Sequence, residues 1–297
     1  MSTRSKPRNS RVEIPASDRT IGLLAGSGRF PIVFAEAARR QGYAVACVGI
    51  RYEAPGELKT LCDSFQTVSV SRLGGMIRSF KRRGVRRIVM AGKITKSVMY
   101  TPLRFVRLWP DLRMMNFWYR RLHGDHRDDS ILLAVIEEFA LDGMTFESAL
   151  DYCPELLVKD GVLTRRAPTA PEREDIAFGW KLAKEMGRLD VGQSVAVNEQ
   201  AALAVEAIEG TDRCISRAGQ LCRAGGWTLV KVAKPNQDMR FDVPTVGAST
   251  IENLHQARGR VLAIEAGKTI VIDQDQVVAL ADQFGLTIVA LRDRSEA

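Results

Sequence analysis

Residues 20–31 read T-I-G-L-L-A-G-S-G-R-F-P, and this stretch decides the fold of the first part of the chain. An apolar run with the length of a strand ends at Ala25, and the turn Gly26-Ser27-Gly28 follows directly. Pro31 suits the first turn of a helix, because its fixed φ fits the helix and its missing N–H is not needed there. The stretch therefore predicts a strand, a tight turn and a helix over residues 31–41.

The same alternation continues along the chain. Strand-like runs cover 44–50, 65–70 and 87–91, and a helix-like segment covers 74–83. Strands that alternate with helices are joined by right-handed crossovers and form a parallel sheet. We therefore predict a Rossmann-like domain over residues 20–122.

Strand signals stop between about residues 103 and 150. A helix-like segment at 130–141 is preceded by Asp128 and Asp129, which suit a helix N-terminus. We predict a helical linker over 123–170, followed by a second α/β domain over 171–297. Its predicted helices and strands are a helix at 172–189, strands at 194–197, 201–208, 228–232, 261–263, 269–272 and 287–291, and helices at 212–224, 249–258 and 275–284.

The charge of the chain is unevenly distributed. The formal net charge is +8, from 43 Lys and Arg against 35 Asp and Glu. Residues 1–121 carry 24 basic and 7 acidic side chains, whereas residues 122–297 carry 19 and 28, giving nets of +17 and −9. We therefore expect the first half to contact anions and the second half to be able to hold cations.

Composition excludes several classes of protein. With 45% hydrophobic and 26% charged residues, the chain is typical of a globular protein and unlike collagen, disulfide scaffolds or wholly disordered chains. No apolar run of about 18 residues is present, so we expect no membrane-spanning helix. Residues 1–19 are expected to form a disordered basic leader without a secretory signal, which predicts a cytoplasmic protein. The five cysteines form no C-x-x-C pair and are expected to be reduced core thiols.

Two glycine-containing turns are candidates for anion binding. Gly26-Ser27-Gly28 lies between a strand and a helix, where a phosphate can meet backbone N–H groups. The dinucleotide fingerprint is incomplete, because Pro31 takes the place of its third glycine, so an anion contact and a plain tight turn remain equal alternatives. Gly92 and Lys93 follow another strand without the upstream glycine of a P-loop, and Lys93 is a candidate phosphate contact.

A basic segment follows the first of these turns. The run from Arg72 to Arg87 contains seven basic residues and no acid, and residues 103–122 interleave arginines with aromatic side chains. Such interleaving suits the surface of an anionic membrane. It also suits single-stranded nucleic acid, or a pair of core helices broken at Pro110, and the sequence leaves these alternatives open.

Acidic residues gather in three places. One is the cluster of possible metal ligands His123, Asp125, His126, Asp128 and Asp129, whose carboxylates could ligate Mg²⁺, although Asp128 and Asp129 could instead cap a helix. If residues 201–208 form a strand, Glu206 lies within it and Glu209 ends it, and such acids are costly to bury unless they are paired or metal-bound. The segment 231–242 alternates cations with carboxylates, which indicates either salt bridges or a phosphoryl-transfer site.

Six motifs occur in order along the chain: I-G-L-L-A-G-S-G-R-F-P at 21–31, A-G-K-I at 91–94, D-D-S-I-L-L at 128–133, P-E-L-L at 154–157, A-V-E-A-I-E-G-T-D at 204–212 and V-K-V-A-K-P-N-Q-D-M-R-F-D-V-P-T-V-G at 230–247. Because of these motifs, the sequence resembles the LpxI-type UDP-2,3-diacylglucosamine pyrophosphatases of lipid A biosynthesis. The resemblance extends from residue 21 to about residue 291. The resemblance implies hydrolysis of that substrate to UMP and 2,3-diacylglucosamine 1-phosphate (lipid X), with Mg²⁺ or another divalent cation. At 197–201 relatives often carry a glycine-containing turn that this chain lacks.

The resemblance also implies roles for individual residues. It makes 20–122 a substrate-binding domain and 171–297 a hydrolase domain, and it places an essential aspartate at Asp238, which would hold the metal or position water. We expect the other catalytic groups to be Lys231, Lys234 and Arg240, the substrate contacts Gly26, Ser27, Gly28, Gly92, Lys93 and Thr211, and further metal ligands Glu206, Glu209, Asp212, Asp128 and Asp129.

The expected partners are UDP-2,3-diacylglucosamine and the anionic inner-membrane surface, on which the cytoplasmic protein would be peripheral. We expect no nucleic-acid partner, and a homodimer is one open alternative for the oligomeric state. The main alternative function is a non-catalytic binder or carrier of a lipid-linked nucleotide.

Overall fold

The computed structural model describes residues 19–94, 109–121, 128–235 and 237–293. The described residues fall into two compact units, unit 1 up to Glu147 and unit 2 from Ser148 onward. Several predictions lie outside the described residues: the leader up to residue 18, residues 103–108 and 122 of the basic segment, and the candidate ligands His123, Asp125 and His126.

Unit 1 contains a parallel sheet and surrounding helices. Its strands are β1 (Thr20–Ala25), β2 (Ala44–Ile50), β3 (Ser64–Val68), β4 (Arg87–Ala91) and β5 (Thr145–Glu147). Its helices are α1 (Phe30–Arg40), α2 (Leu58–Leu61), α3 (Leu73–Lys81), α4 (Leu112–Arg121) and α5 (Asp128–Ala140).

The strand order in unit 1 is β3-β2-β1-β4-β5, and every pairing is parallel. This order confirms the predicted Rossmann-like sheet. β5 was not predicted, because its three residues T-F-E are too few to show a periodicity. It pairs with β4 through Thr145, whose N–H donates to the carbonyl of Arg86 at 2.8 Å.

Both faces of the unit 1 sheet are covered. Ile21, Leu23, Leu24 and Ala25 in β1 are buried, although successive strand residues point to opposite faces. Such continuous apolar runs are typical of parallel strands covered on both faces. Pro31 stands in the first turn of α1, as predicted.

Unit 2 has a larger, mixed sheet. Its strands are β6 (Gly161–Val162), β7 (Ser194–Asn198), β8 (Ala201–Val205), β9 (Thr228–Lys231), β10 (Thr245–Val246), β11 (Val261–Glu265), β12 (Ile270–Val271) and β13 (Thr287–Leu291). Its helices are α6 (Ala170–Arg188), α7 (Thr211–Leu221), α8 (Ala248–Gln256) and α9 (Gln274–Gln283).

The six-stranded sheet of unit 2 has the order β6-β13-β11-β9-β7-β8. β9, β11 and β13 are parallel to one another, whereas β7 runs antiparallel to β9 and forms a hairpin with β8. β10 and β12 form a separate parallel pair. The α/β class predicted for this part of the chain is therefore confirmed.

The unit 2 sheet separates two apolar cores. Val230 of β9 faces a cluster with Ile176 and Met186 of α6. Its neighbour Leu229 faces the other cluster, which includes Ile215 of α7 and Ile251 of α8. Because adjacent strand residues alternate between faces, helices pack on both sides and unit 2 has three layers.

The prediction of a strand over 201–208 was too long. β8 ends at Val205, and only the N–H of Glu206 continues the pairing, donating to the carbonyl of Ser194 at 2.8 Å. The chain then turns into α7 through Gly210, whose φ is +83°. Glu206 and Glu209 therefore lie in the connection between β8 and α7.

No helix among the described residues is long and apolar enough to cross a membrane. All five cysteines are free, and all of them except Cys222 are buried.

Candidate active site

Four polar side chains meet at the edge of the unit 2 sheet where β9 ends. Lys231 is the last residue of β9, its register partner Ser194 begins β7, Thr211 begins α7 and Glu206 follows β8. Lys231 Nζ donates to Thr211 Oγ1 at 3.1 Å, and Oγ1 of Thr211 donates to Glu206 Oε1 at 2.9 Å. The fold thus joins three predicted site residues through one hydroxyl group.

This cluster is buried and charged. Glu206 is 7% exposed and Lys231 is 5% exposed. The second carboxylate oxygen of Glu206, Oε2, accepts no hydrogen bond from the described residues. Burial raises the pKa of the nearby Cys214 thiol to about 12, and the Glu206 carboxylate adds to this rise. Burying such charges is costly unless each finds a partner, so an acceptor left open at a helix N-terminus indicates a place for a ligand.

The loop after β9 contains most of the motif at 230–247. Lys234 Nζ forms an ion pair with Asp190 Oδ1 at 2.6 Å, and its backbone N–H donates to the side chain of Gln237 at 2.8 Å. Gly187 of α6 lies against the loop, and a Cβ there would be 3.3 Å from the Cα of Lys234. The side chain of Lys234 is therefore fixed by Asp190, and its backbone is fixed by Gln237 and by the close approach of Gly187.

Asp238 and Arg240 form a two-point ion pair within the same loop. Arg240 Nε donates to Asp238 Oδ1 at 2.9 Å, and Arg240 Nη2 donates to Oδ2 at 2.6 Å. The Arg240 guanidinium lowers the pKa of the Asp238 carboxyl below its usual range. Asp238 is therefore a carboxylate at neutral pH, available to orient a polar group and poorly suited to keep a proton.

A further buried carboxylate, Glu265, was not predicted. It ends β11, is 1% exposed, and accepts from the backbone N–H of Ala233 at 2.8 Å. Lys184 of α6 donates to both of its oxygens at 2.8 Å, and Lys268 lies 3.2 Å from one of them. Glu265 thus fixes the start of the loop that contains Lys234 and Asp238. The sequence feature that could have predicted Glu265 is an acid at the end of the apolar run V-L-A-I-E. Glu206 follows an apolar run in the same way.

Two of the other predicted metal ligands, Glu209 and Asp212, have separate partners. Glu209 Oε1 lies 2.8 Å from Arg217, and Asp212 accepts from Asn253 at 2.9 Å. Asp128 and Asp129 begin α5, and their side chains are outside the described residues. Across 19–94, 109–121, 128–235 and 237–293, no three His, Cys, Asp or Glu side chains come close enough to hold a metal ion. The described carboxylates therefore form no site of three protein ligands, and among the expected ligands Glu206 keeps one buried oxygen, Oε2, without a hydrogen bond from the described residues.

In unit 1 the two glycine turns contact each other. Ser27 N–H donates to the carbonyl of Lys93 at 2.7 Å, and Lys93 N–H donates to the carbonyl of Ser27 at 3.1 Å. A Cβ on Gly26 would be 2.4 Å from the Lys93 carbonyl oxygen, and Gly92 has φ +90°. Gly28, with φ +94°, completes the turn before α1. These glycines therefore allow two loop backbones to approach, and they place Lys93 beside Ser27.

The turn at 197–201, which lacks a glycine, is stabilised by a side chain of α6. Glu199 and Gln200 both have positive φ, at 52° and 57°. The buried carboxylate of Asp175 accepts their backbone N–H groups, at 3.3 Å from Glu199 and 2.7 Å from Gln200. This acceptor offsets the strain that a side chain brings to such a turn.

The described part of the basic segment has two different faces. Phe117 of α4 is buried, and Arg113 forms ion pairs with Glu138 and Asp142, so this face packs within unit 1. The opposite face exposes Leu112, Met115, Trp118 and Tyr119, by 85%, 56%, 57% and 74%. Of the arginines in this helix, which were expected to contact anions, Arg113 instead joins α4 to α5.

The comparisons with known proteins agree with the fold. The model of the LpxI N-terminal domain matches residues 20–156, and the model of the LpxI C-terminal domain matches residues 159–289. A relative, the UDP-2,3-diacylglucosamine pyrophosphatase LpxI of Caulobacter vibrioides, is 30% identical over 281 residues, which are 92% of this chain and 98% of the relative. Both domain matches and the length of the shared sequence show that the chain belongs to the LpxI family.

Proposed function

We propose that this protein hydrolyses UDP-2,3-diacylglucosamine to UMP and 2,3-diacylglucosamine 1-phosphate in lipid A biosynthesis. The observation that carries the proposal is the match over 92% of the chain to a relative named for pyrophosphatase action on that substrate. The charged groups around β9 support it, because a diphosphate needs cations to bind and a fixed acceptor to orient water.

In the proposed reaction, a water oxygen attacks the phosphorus on the sugar side of the diphosphate. A new P–O bond forms, and the bond to the bridging oxygen breaks. That oxygen leaves with UMP, while one water proton is lost to solvent. Asp238 would orient the water, because the pKa of its carboxyl is lowered and the group is ionised at neutral pH. Lys231, Lys234 and Arg240 would offset the negative charge that develops on the phosphate oxygens.

Dependence on Mg²⁺ or another divalent cation stays a prediction. Of the carboxylates expected to ligate it, Asp238, Glu209 and Asp212 pair with Arg240, Arg217 and Asn253, and one oxygen of Glu206 accepts from Thr211. The described residues form no site of three protein ligands, so the assay compares Mg²⁺ with EDTA.

We further propose that the protein acts at the anionic inner-membrane surface, where its acylated substrate resides. The exposed apolar face of α4 supports this association, because aromatic and aliphatic side chains on an amphipathic helix bind at the lipid–water interface. A homodimer stays an open alternative.

The proposal is tested by incubating the full chain with detergent-dispersed UDP-2,3-diacylglucosamine, with Mg²⁺ or with EDTA, and measuring UMP. We expect UMP release, and we expect Asp238→Asn to reduce it by about 10²–10⁴-fold at unchanged far-UV circular dichroism. The control is Asp160→Asn, which removes an equal charge from an exposed position of unit 2.

Two outcomes would contradict the proposal. Substrate binding without UMP release under either condition would favour the alternative of a carrier of a lipid-linked nucleotide. Near-normal release by Asp238→Asn would remove Asp238 from the mechanism, whatever the metal dependence.

A further inference from the structure

Unit 1 contains a cavity of about 330 Å³ at the ends of two strands of its sheet. Gln66, Thr67 and Val68 of β3 line it, together with Arg51 and Ser69, which follow β2 and β3, so the cavity lies against β3 and reaches the carboxyl edge of these parallel strands. Ligands of open parallel sheets bind at this edge, and ligand pockets have volumes of roughly 300–1,000 Å³. Both the position and the size of the cavity therefore suit a small group.

The cavity is lined by four arginines, Arg51, Arg72, Arg78 and Arg82. Gly75 and Arg78 lie in α3, and Arg82 directly follows its last residue. Their spacing of three and four residues places them on one helix face, and the glycine leaves room beside them. None of the described residues that line the cavity is acidic. Like charges gathered in this way repel one another, so the arrangement is stabilised when an anion enters.

An acid beside the cavity, Asp111, is already engaged. Asp111 Oδ2 lies 3.9 Å from Arg78 Nη2 and accepts the backbone N–H of Gly75 at 2.9 Å. Its other oxygen accepts the N–H of Met114 at 2.9 Å. Asp111 therefore caps both α3 and α4, and it leaves the charge of the cavity strongly positive. Guanidinium groups bind phosphate oxygens in pairs, which makes phosphate the anion that best fits four of them.

The same capping residue brings an apolar surface next to the arginines. Asp111 immediately precedes Leu112, and the exposed face of α4 continues through Met115, Trp118 and Tyr119. Single-stranded nucleic acid would use charge together with aromatic rings. The aliphatic Leu112 and Met115 instead suit hydrocarbon, so a cationic cavity bordered by this face matches a ligand with a phosphate head and acyl chains.

We propose that this cavity binds the phosphate headgroup of an anionic membrane lipid, while the exposed face of α4 inserts between the acyl chains. The inference deepens the proposed membrane association by naming its headgroup site. It is independent of the hydrolytic step, because the cavity arginines belong to unit 1 and have no part in the proposed chemistry of Asp238.

The test is sedimentation of the full chain with vesicles of phosphatidylcholine alone and of phosphatidylcholine with one quarter phosphatidylglycerol. The cavity variant is Arg72→Gln, Arg78→Gln, Arg82→Gln. Its matched control is Arg40→Gln, Lys59→Gln, Arg86→Gln, which removes the same charge from exposed positions of unit 1 outside the cavity. We expect the cavity variant to weaken binding to the anionic vesicles by about 100-fold, and the control by less than about fivefold.

Three results would overturn the proposal. Equal losses in both variants would mean diffuse attraction over the basic surface. Equal binding of the wild-type protein to neutral and anionic vesicles would show that the anionic headgroup does not contribute to binding. Tighter, cavity-dependent binding of single-stranded DNA than of vesicles would assign the cavity to nucleic acid.

A parallel assay separates this proposal from the proposed function. UMP release from detergent-dispersed substrate is expected to stay within about twofold of wild type in the cavity variant. A loss there would make the cavity part of the substrate site and would contradict its assignment to membrane lipid. Normal release by a protein that binds no vesicle would contradict the headgroup site and leave the hydrolase intact.

Discussion

In unit 1 the loops after β1 and β4 are joined by backbone hydrogen bonds, whereas in unit 2 the loop after β9 is held by charged side chains. Ser27 and Lys93 bond through their N–H and carbonyl groups, the Ser27 hydroxyl adds a bond to the Lys93 carbonyl, and Gly26 and Gly92 leave no room for a Cβ. Ala233, Lys234 and Asp238 depend on Glu265, Asp190 and Arg240. The comparison teaches that an added methyl group should disrupt the joined loops of unit 1, whereas the loss of a charge should disrupt the loop after β9 in unit 2.

The largest effect is expected at Glu265. Glu265→Ala leaves Lys184 and Lys268 without their buried carboxylate and removes the acceptor of Ala233 N–H. Breaking a buried ion pair by removing one partner costs about 3–5 kcal/mol, and we expect a loss of this size in the free energy of unfolding from urea titration. The control Glu185→Ala breaks an exposed pair with Arg188 and should cost less than about 1 kcal/mol. Similar losses in both variants would contradict the role of burial.

The next largest effect should come from adding a methyl group in unit 1. In Gly92→Ala the new Cβ would lie 2.6 Å from the carbonyl oxygen of Ser27, at a φ of +90°. We expect a destabilisation of about 2–4 kcal/mol, from strain of the left-handed backbone together with the clash. Gly84→Ala has φ +66° and open space around its Cβ, so it isolates the strain and should cost about 1–2 kcal/mol. Equal urea midpoints for the two variants would show that the loops do not need their close approach.

A smaller effect is expected at Asp111, where one side chain stabilises unit 1 by capping. Asp111→Ala removes the acceptor for the N–H groups of Gly75 and Met114. The loss of a helix cap costs about 0.5–2 kcal/mol, so two caps predict about 1–3 kcal/mol in a urea titration. Exposed Asp160→Ala, in unit 2, should change stability by less than about 0.5 kcal/mol. A difference of less than about 0.5 kcal/mol between these variants would mean that water replaces the caps.

The smallest effect should be a pH dependence of stability that comes from the loop after β9, where charged side chains pair. Because Arg240 lowers the folded-state pKa of Asp238, the pair stabilises the protein fully above the unfolded pKa of about 3.9. This contribution is lost as the pH falls through the lower folded-state pKa. Asp238→Asn should therefore flatten the slope of stability against pH below about pH 4, measured by urea midpoints. An unchanged slope would mean that the ion pair does not persist in solution.

The elements of the fold were predictable wherever apolar residues recur over five or more positions. β1, β2, β4 and β13 have the predicted bounds, because each is a continuous apolar run between polar residues. β5 was not predicted, because the three residues T-F-E are too few to show an alternation of apolar and polar residues. They form a strand because they pair with β4. Glu206 was placed inside a strand because V-E-A alternates, but the turn into α7 ended β8 one residue earlier.

The residue types of the candidate site were predictable, but their partners were not. Lys231, Thr211 and Glu206 stand in two separate motifs, and only the register of β7 with β9 brings these motifs together. Asp190 is 44 residues from Lys234, and Lys184 is 81 residues from Glu265. Arg113 was grouped with anion-binding residues because its ion pairs to Glu138 and Asp142 depend on how α4 packs.

The contact between Ser27 and Lys93 also bears on the route by which a nucleotide could meet unit 1. In the order β3-β2-β1-β4-β5, the sheet reverses its winding between β1 and β4, and open α/β sheets usually have their binding crevice at this topological switch point. Here the two backbones that would form the walls of the crevice are bonded to each other. The loops on either side of the switch point are therefore joined at Ser27 and Lys93, and a cavity of unit 1 reaches this edge of the sheet elsewhere, at the ends of β2 and β3.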